Sequence, residues 1–210
     1  NGGLPGTAAL ALRPELPAFD AAVVGPGMGN DDETRALTWA LLADLAADIA
    51  RGSVIDADAL NALAAFSEPR ELPANAVLTP HPGEMARLLG TSTAAVQSRR
   101  MEAALEAAGR FGCTVVLKGA HSVVAHPDGR RALSPFANPL LATAGSGDVL
   151  AGMIAAYLAQ GLRPFEAACL GVYLHGATGE AIRAEYGDSG LLASEIAGRL
   201  PRVVKDLRGD

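Results

Sequence analysis

Short apolar runs alternate along the chain with longer runs in which hydrophobic residues recur at helical spacing. "AAVVG" (21–25) reads as a buried strand and "NDDETRALTWALLADLAADIARG" (30–52) as an amphipathic helix. The acidic residues of that helix crowd its first turn, where the helix dipole favours them, and Gly52 follows its end. "SVIDAD" (53–58) reads as a strand finishing in carboxylates, and "NAVLTPHPGE" (75–84) as a strand that breaks at Pro80 and Pro82. "TAAVQSRRMEAALEAAGRFG" (93–112) predicts one helix capped by Thr93. "CTVVLKG" (113–119) and "SVVAHPDGRRAL" (122–133) predict a strand and then a hairpin turning at Pro127–Gly129. Three helical stretches follow, near 148–160, 164–186 and 191–207, with Pro164 suited to a first turn.

Strand–helix alternation of this kind predicts an α/β fold with a mainly parallel sheet covered on both faces by helices. The four central strands are apolar throughout, as a sheet buried on both sides requires. No linker, repeat or low-complexity stretch interrupts residues 1–210, so a single domain is expected.

Composition narrows the function classes. The chain has 210 residues, half of them hydrophobic, enough for a substantial core. Its formal net charge of −6 argues against a module that binds nucleic acid through a basic surface. Cys113 and Cys169 lie in apolar surroundings without metal-ligand spacing and read as buried free thiols. No apolar run reaches the roughly 18 residues of a membrane span and no signal peptide is visible, so a cytoplasmic protein with no membrane partner is expected.

Ligands of open α/β sheets gather beyond the carboxyl ends of the strands, and the unusual residues of this chain fall there. After the first strand, Gly25, Gly27 and Gly29 form a corner that either admits ligand atoms close to the main chain or is a tight structural turn. After the second come Asp56, Asp58 and Asn61, with Asp58 placed to cap the next helix. After the third come Thr79, His81 and Glu84, with His81 held stiffly between two prolines. After the fourth, Lys118 ends an otherwise apolar strand and opens "KGAHS" (118–122).

The most informative stretch is "TAGSGDVLAG" (143–152). Gly145 to Gly147 at a helix start would aim several main-chain N–H groups one way, an arrangement that favours phosphate. Asp148 either caps that helix or accepts a proton from a hydroxyl attacking the bound phosphate.

These segments, in this order, resemble the ribokinase-like superfamily, whose fold is a three-layer α/β/α sandwich, and within it the ADP/ATP-dependent NAD(P)H-hydrate dehydratases. The resemblance rests on "VVGPGMG" (23–29), "VIDADALN" (54–61), "LTPHPGEMARLLG" (78–90), "VVLKGAHSVV" (115–124), "NPLLATAGSGDVLAGMIAAYLAQG" (138–161), "AACLGVYLHGATGE" (167–180) and "GLLASEIAGRLP" (190–201). It implies a lyase that repairs the S-epimer of hydrated NADH or NADPH. ADP, or ATP in the eukaryotic type, phosphorylates the ring hydroxyl with magnesium, and loss of phosphate restores the double bond. Carried over by position, Gly27, Gly29, His81 and Asp148 would contact the hydrated nucleotide. Lys118, Gly119, Ala120, His121, Ser122 and Gly147 would hold the adenine nucleotide. Asp148 would be the general base, Gly145 and Gly147 would supply anion-stabilising amides, and Glu84 would organise magnesium through water. The resemblance also implies a homotetramer or larger assembly.

"NGGLPGTAALA" (1–11) is similar to the family's opening turn and helix, but the units that normally follow are absent before Val23. The expectation is therefore a chain lacking an N-terminal part of the domain, or a smaller sheet, with no epimerase domain. Two other readings stay open. One is a small-molecule kinase acting on a hydroxymethylpyrimidine or hydroxyethylthiazole; the other is a non-catalytic nucleotide-binding module.

Overall fold

The computed structural model describes residues 7–65 and 72–209. The glycine-rich opening, residues 1–6, lies outside them. Helix α1 (Ala8–Leu12) and a 3-10 turn (Arg13–Ala18) lead into strand β1 (Ala21–Val24) and helix α2 (Asp32–Asp48). Then come β2 (Gly52–Ile55), α3 (Ala57–Ala64), β3 (Ala76–Leu78), α4 (Pro82–Leu89), α5 (Thr93–Ser98), α6 (Arg100–Phe111) and β4 (Thr114–Leu117). The hairpin β5 (Val123–Ala125) and β6 (Arg131–Leu133) follows. A 3-10 turn (Pro139–Ala142) and helices α7 (Ser146–Ala159), α8 (Pro164–Tyr186) and α9 (Ala193–Arg208) complete the described chain.

The six strands pair in chain order, β1 to β4 parallel and β5 and β6 antiparallel. Alternation along each strand sends successive side chains to opposite faces. Val54, Val77, Val116 and Val124 point into one core, against Leu150, Ile154 and Leu158 of α7 and Val172 of α8. Their neighbours Ile55, Leu78, Val115, Leu117 and Val123 point into the other, filled by α2, α3, α4 and α6. On that side Ala103, Ala104, Ala107 and Ala108 make a face of small side chains that brings α6 close against β4 and β5. The result is a three-layer α/β/α sandwich with the carboxyl ends of β1 to β4 along one edge.

The expected strands and hairpin form, with two corrections to the helices. Residues 93–112 make two helices, not one, because Arg99 leaves helical geometry (φ −142°, ψ 50°). Beside that break the Arg100 guanidinium donates to the carbonyls of Leu117 and Lys118 at 3.2 and 3.3 Å, pinning the start of α6 to the end of β4. The cap of α5 is Ser92, not Thr93: its Oγ accepts from Ala95 N at 3.1 Å. Of the thiols, Cys113 is buried, which pushes its pKa up to about 12, whereas Cys169 is only half-buried. Among the described residues no helix is long and apolar enough to cross a membrane.

Candidate active site

Lys118 directly follows β4, and its amide is fixed by the Pro80 carbonyl at 2.8 Å. Its side chain crosses the edge of the sheet, past the end of β3, to Asp56 at the end of β2. There Nζ meets Oδ1 at 2.7 Å. The Asp56 side chain is 1% exposed and that of Lys118 19%, so water screens the pair little. The second oxygen of Asp56, Oδ2, is buried and has no hydrogen-bond partner. The backbone here is equally tight. A β-carbon on Gly25 would stand 1.8 Å from the Asp56 carbonyl oxygen, so only glycine lets β1 turn there.

Helix α7 begins at the same place. Gly145 takes the left-handed conformation (φ 82°) that starts the helix, and Ser146 N bonds to Thr143 O at 3.2 Å. The amides of Gly147 and Asp148 find no acceptor among the described residues, as first-turn amides do unless capped. They form an anion site at the positive end of the helix dipole. A β-carbon on Gly147 would lie 3.2 Å from Lys118 Nζ and 3.8 Å from Asp56 Oδ2, so ammonium, free carboxylate oxygen and free amides converge.

Behind this corner, His175 of α8 ties the two long helices together. Its Nε2 is 3.1 Å from the Ser146 carbonyl oxygen and 3.0 Å from Ser146 Oγ. A carbonyl only accepts, so Nε2 carries the hydrogen and Nδ1 is the bare acceptor. Burial disfavours the imidazolium and lowers the pKa to about 4, with the Lys118 charge adding to the shift and the Ser146 bond opposing it.

A cavity of about 520 Å³ opens from these groups. Lys118, Gly119, Ala120, Ser122 and Gly147 line it together with His81 and Ser146, as do the apolar side chains of Phe136, Pro139, Leu141, Leu150 and Val172. The size and the mixed polar and apolar lining suit a nucleotide, with phosphates at the helix end.

Most of the other predicted residues do not line this cavity, and His81, which does, is tied into the fold as well. Gly29 N donates to Asp58 Oδ2 at 2.9 Å, and Asn61 Oδ1 accepts from Arg87 Nε at 3.0 Å. The corners after β1 and β2 are thus stitched to each other and to α4. Asp58 therefore bridges to the glycine corner, and no side chain caps α3. His81 caps α4, its Nδ1 accepting from Gly83 N and Glu84 N, while Glu84 Oε2 accepts from His81 N at 2.7 Å. Glu84 is buried under this cap, and burial raises its pKa against the opposing pull of His81 N and Lys118. The His121 ring turns to the Ser134 carbonyl at 3.0 Å, outside the cavity lining. Asp148 is exposed in the first turn of α7, with no side-chain partner among the described residues.

Three features were not anticipated from the sequence. The first is the pairing of Asp56 with Lys118, 62 residues apart. The second is His175, whose signal was a lone histidine at the end of the apolar run "AACLGVYL" (167–174) within α8. The third is the Phe136–Asn138 wall, where Asn138 Oδ1 holds Leu140 N at 2.9 Å and its buried Nδ2 has no partner.

This sandwich, with a glycine corner opening a helix beside a strand-end lysine, is a ribokinase-like architecture. A ribokinase-like superfamily protein from Enterococcus faecalis superposes with a TM-score of 0.82 at 27% identity, covering 97% of this chain and 69% of that one. By the match of residues 5–202 to its family model, the chain belongs to the NAD(P)H-hydrate dehydratase family. The ADP-dependent (S)-NAD(P)H-hydrate dehydratase of Neisseria meningitidis is 47% identical over 192 residues, covering 90% of this chain and 63% of that protein. The ADP/ATP-dependent NAD(P)H-hydrate dehydratase of Bacillus subtilis, co-crystallized with ATP/Mg2+, is 34% identical with a TM-score of 0.78. That match covers 92% of this chain and 69% of the other. The chain spans between 36% and 65% of the length of such curated relatives.

Proposed function

We propose that residues 5–202 form one catalytic unit that dehydrates the S-epimer of hydrated NADH or NADPH, driven by ADP. The observation that carries this reading is the convergence of the free Gly147 and Asp148 amides with the Lys118 ammonium, where Gly147 and Lys118 line the 520 Å³ cavity. Family membership and the names of the Neisseria and Bacillus relatives support the choice of substrate.

The adenine of ADP lies among the cavity's apolar side chains, and its phosphates meet Lys118, Gly119 and the α7 amides. The hydrated ring approaches from the side of Gly27, Gly29 and His81. Asp148 takes the proton from the ring hydroxyl as its oxygen bonds to the β-phosphorus; the bridging P–O bond breaks and AMP leaves. The amides and the ammonium hold the charge that accumulates on the phosphoryl oxygens. The phosphorylated oxygen then departs with its bonding pair as inorganic phosphate, a neighbouring ring carbon gives up a proton to water, and the double bond returns.

The residues present suit magnesium. Among the described residues no three ligating side chains gather into a cage. Magnesium keeps several waters, however, and needs only one or two carboxylates beside a phosphate. Glu84, which feels the charges of both Lys118 and Asp56 in this corner, meets that need through water. Bound there with ADP, the ion would neutralise part of the phosphate charge.

The deciding assay mixes the protein with hydrated NADH, magnesium and either ADP or ATP, and follows the absorbance of NADH. Return of NADH with stoichiometric AMP and phosphate is expected. A stable phosphate ester would instead mean a kinase, and nucleotide binding without any product a module that only binds.

A further inference from the structure

We propose that Asp56 is a positioning residue. It clamps Lys118 beside Gly147 and offsets the lysine's pull on the resting nucleotide, reserving that charge for the phosphoryl group in transfer. The inference rests on the function proposed above in its kinetic part only.

Three observations lead to it. Lys118 Nζ is bonded to Asp56 Oδ1 at 2.7 Å, yet it also stands at the helix end where phosphate would bind. One ammonium therefore serves both a buried carboxylate and the anion site. Asp56 is also half-satisfied, since Oδ2 is buried and unpartnered close to Gly147. An unpaired buried acceptor costs free energy, and the ion pair with Lys118 does nothing to relieve it. Here the bare oxygen lets the ammonium lean towards a phosphate without leaving Asp56. Glu84, finally, lies close enough to feel both charges. Two carboxylates thus face the Lys118 ammonium before any nucleotide arrives, and the nearer one, Asp56, holds it directly.

Such a corner holds ADP less tightly in the ground state than a free lysine would. Binding that is equal in ground and transition states does not raise turnover, whereas charge that acts on the transferring group does. Neutralising Asp56 should therefore tighten ADP binding and slow the reaction together. A purely structural pair would weaken both.

The test titrates ADP by calorimetry in the presence of a chelator, so that magnesium plays no part, into the unaltered protein and Asp56→Asn. Binding tighter by about fivefold, with kcat lower by at least about tenfold and KM for ADP no higher, is expected. Affinity equal to or weaker than that of the unaltered protein, at an unchanged thermal midpoint, overturns the clamp. Should Asp56→Asn fail to fold, Asp56→Glu retains the charge and shifts the ammonium by one methylene. Unchanged ADP affinity with reduced kcat then supports the clamp, and unchanged kcat overturns it. If the unaltered protein restores no NADH, the proposed function fails, while the metal-free titration still judges Asp56.

Discussion

Lys118 Nζ lies 3.2 Å from the point where a β-carbon on Gly147 would stand, although the two residues belong to different elements, the end of β4 and the first turn of α7. The lysine occupies the space that the glycine leaves. Gly147→Ala should therefore push the ammonium aside by a few tenths of an ångström and shield the amides beside it. Alanine also favours the helix over glycine, by up to about 1 kcal/mol, so the fold should hold or gain stability. The expected outcome is a thermal midpoint no lower than that of the unaltered protein, with ADP binding weakened about tenfold in calorimetry, or about 1.4 kcal/mol. Unchanged ADP affinity would place the phosphate elsewhere.

Removing the lysine itself separates stability from binding. Lys118→Met strands the buried Asp56 carboxylate without its partner, and breaking a buried pair in this way costs on the order of 3 kcal/mol. Urea unfolding should register most of that loss. The double variant Lys118→Met, Asp56→Asn should recover a large part of the stability, because no charge is left unpaired. Neither variant should bind ADP as the unaltered protein does.

Much of this frame was legible in the sequence because strand patterning and turn chemistry are local. The runs that became β1 to β4 are short and apolar, and the Pro127–Gly129 turn predicted the β5–β6 hairpin. The failures are tertiary. Nothing in "QSRRME" breaks a helix by itself; the break at Arg99 accompanies the grip of Arg100 on the carbonyls ending β4. Asp58 looked like a cap because it stands at a helix start, yet its partner is the amide of Gly29, from a different strand end. The same limit hid the active corner. Asp56, Lys118 and Gly147 each stood out singly, but their convergence depends on the strand order that brings β2 and β4 to either side of β3.

Asp148 offers the most direct test of the proposed chemistry. It lies next to Gly147, exposed and without a side-chain partner among the described residues, so nothing in the fold depends on its carboxylate. Asp148→Asn should keep the thermal midpoint and the ADP affinity. Loss of the general base should lower kcat by about a hundredfold or more. Near-normal turnover of hydrated NADH by this variant would remove Asp148 from the mechanism.

His175 gives the molecule an acid-sensitive joint between α7 and α8. In the unfolded chain the imidazole takes up its proton near pH 6.5; in the folded protein burial delays this to about pH 4. The neutral ring's contribution is therefore complete above pH 6.5 and is lost progressively as pH falls towards 4, where the unfolded state binds the proton and the folded state does not. A difference of this size amounts to roughly 3 kcal/mol across that window. Other groups also titrate there, so the comparison that isolates His175 is with His175→Gln, which retains an N–H donor for the Ser146 carbonyl and has no proton to gain. Chemical denaturation at pH 7 and pH 4.5 should show the unaltered protein losing more stability on acidification than the variant. Equal losses in the two proteins would mean that His175 is solvated or already charged in the folded state.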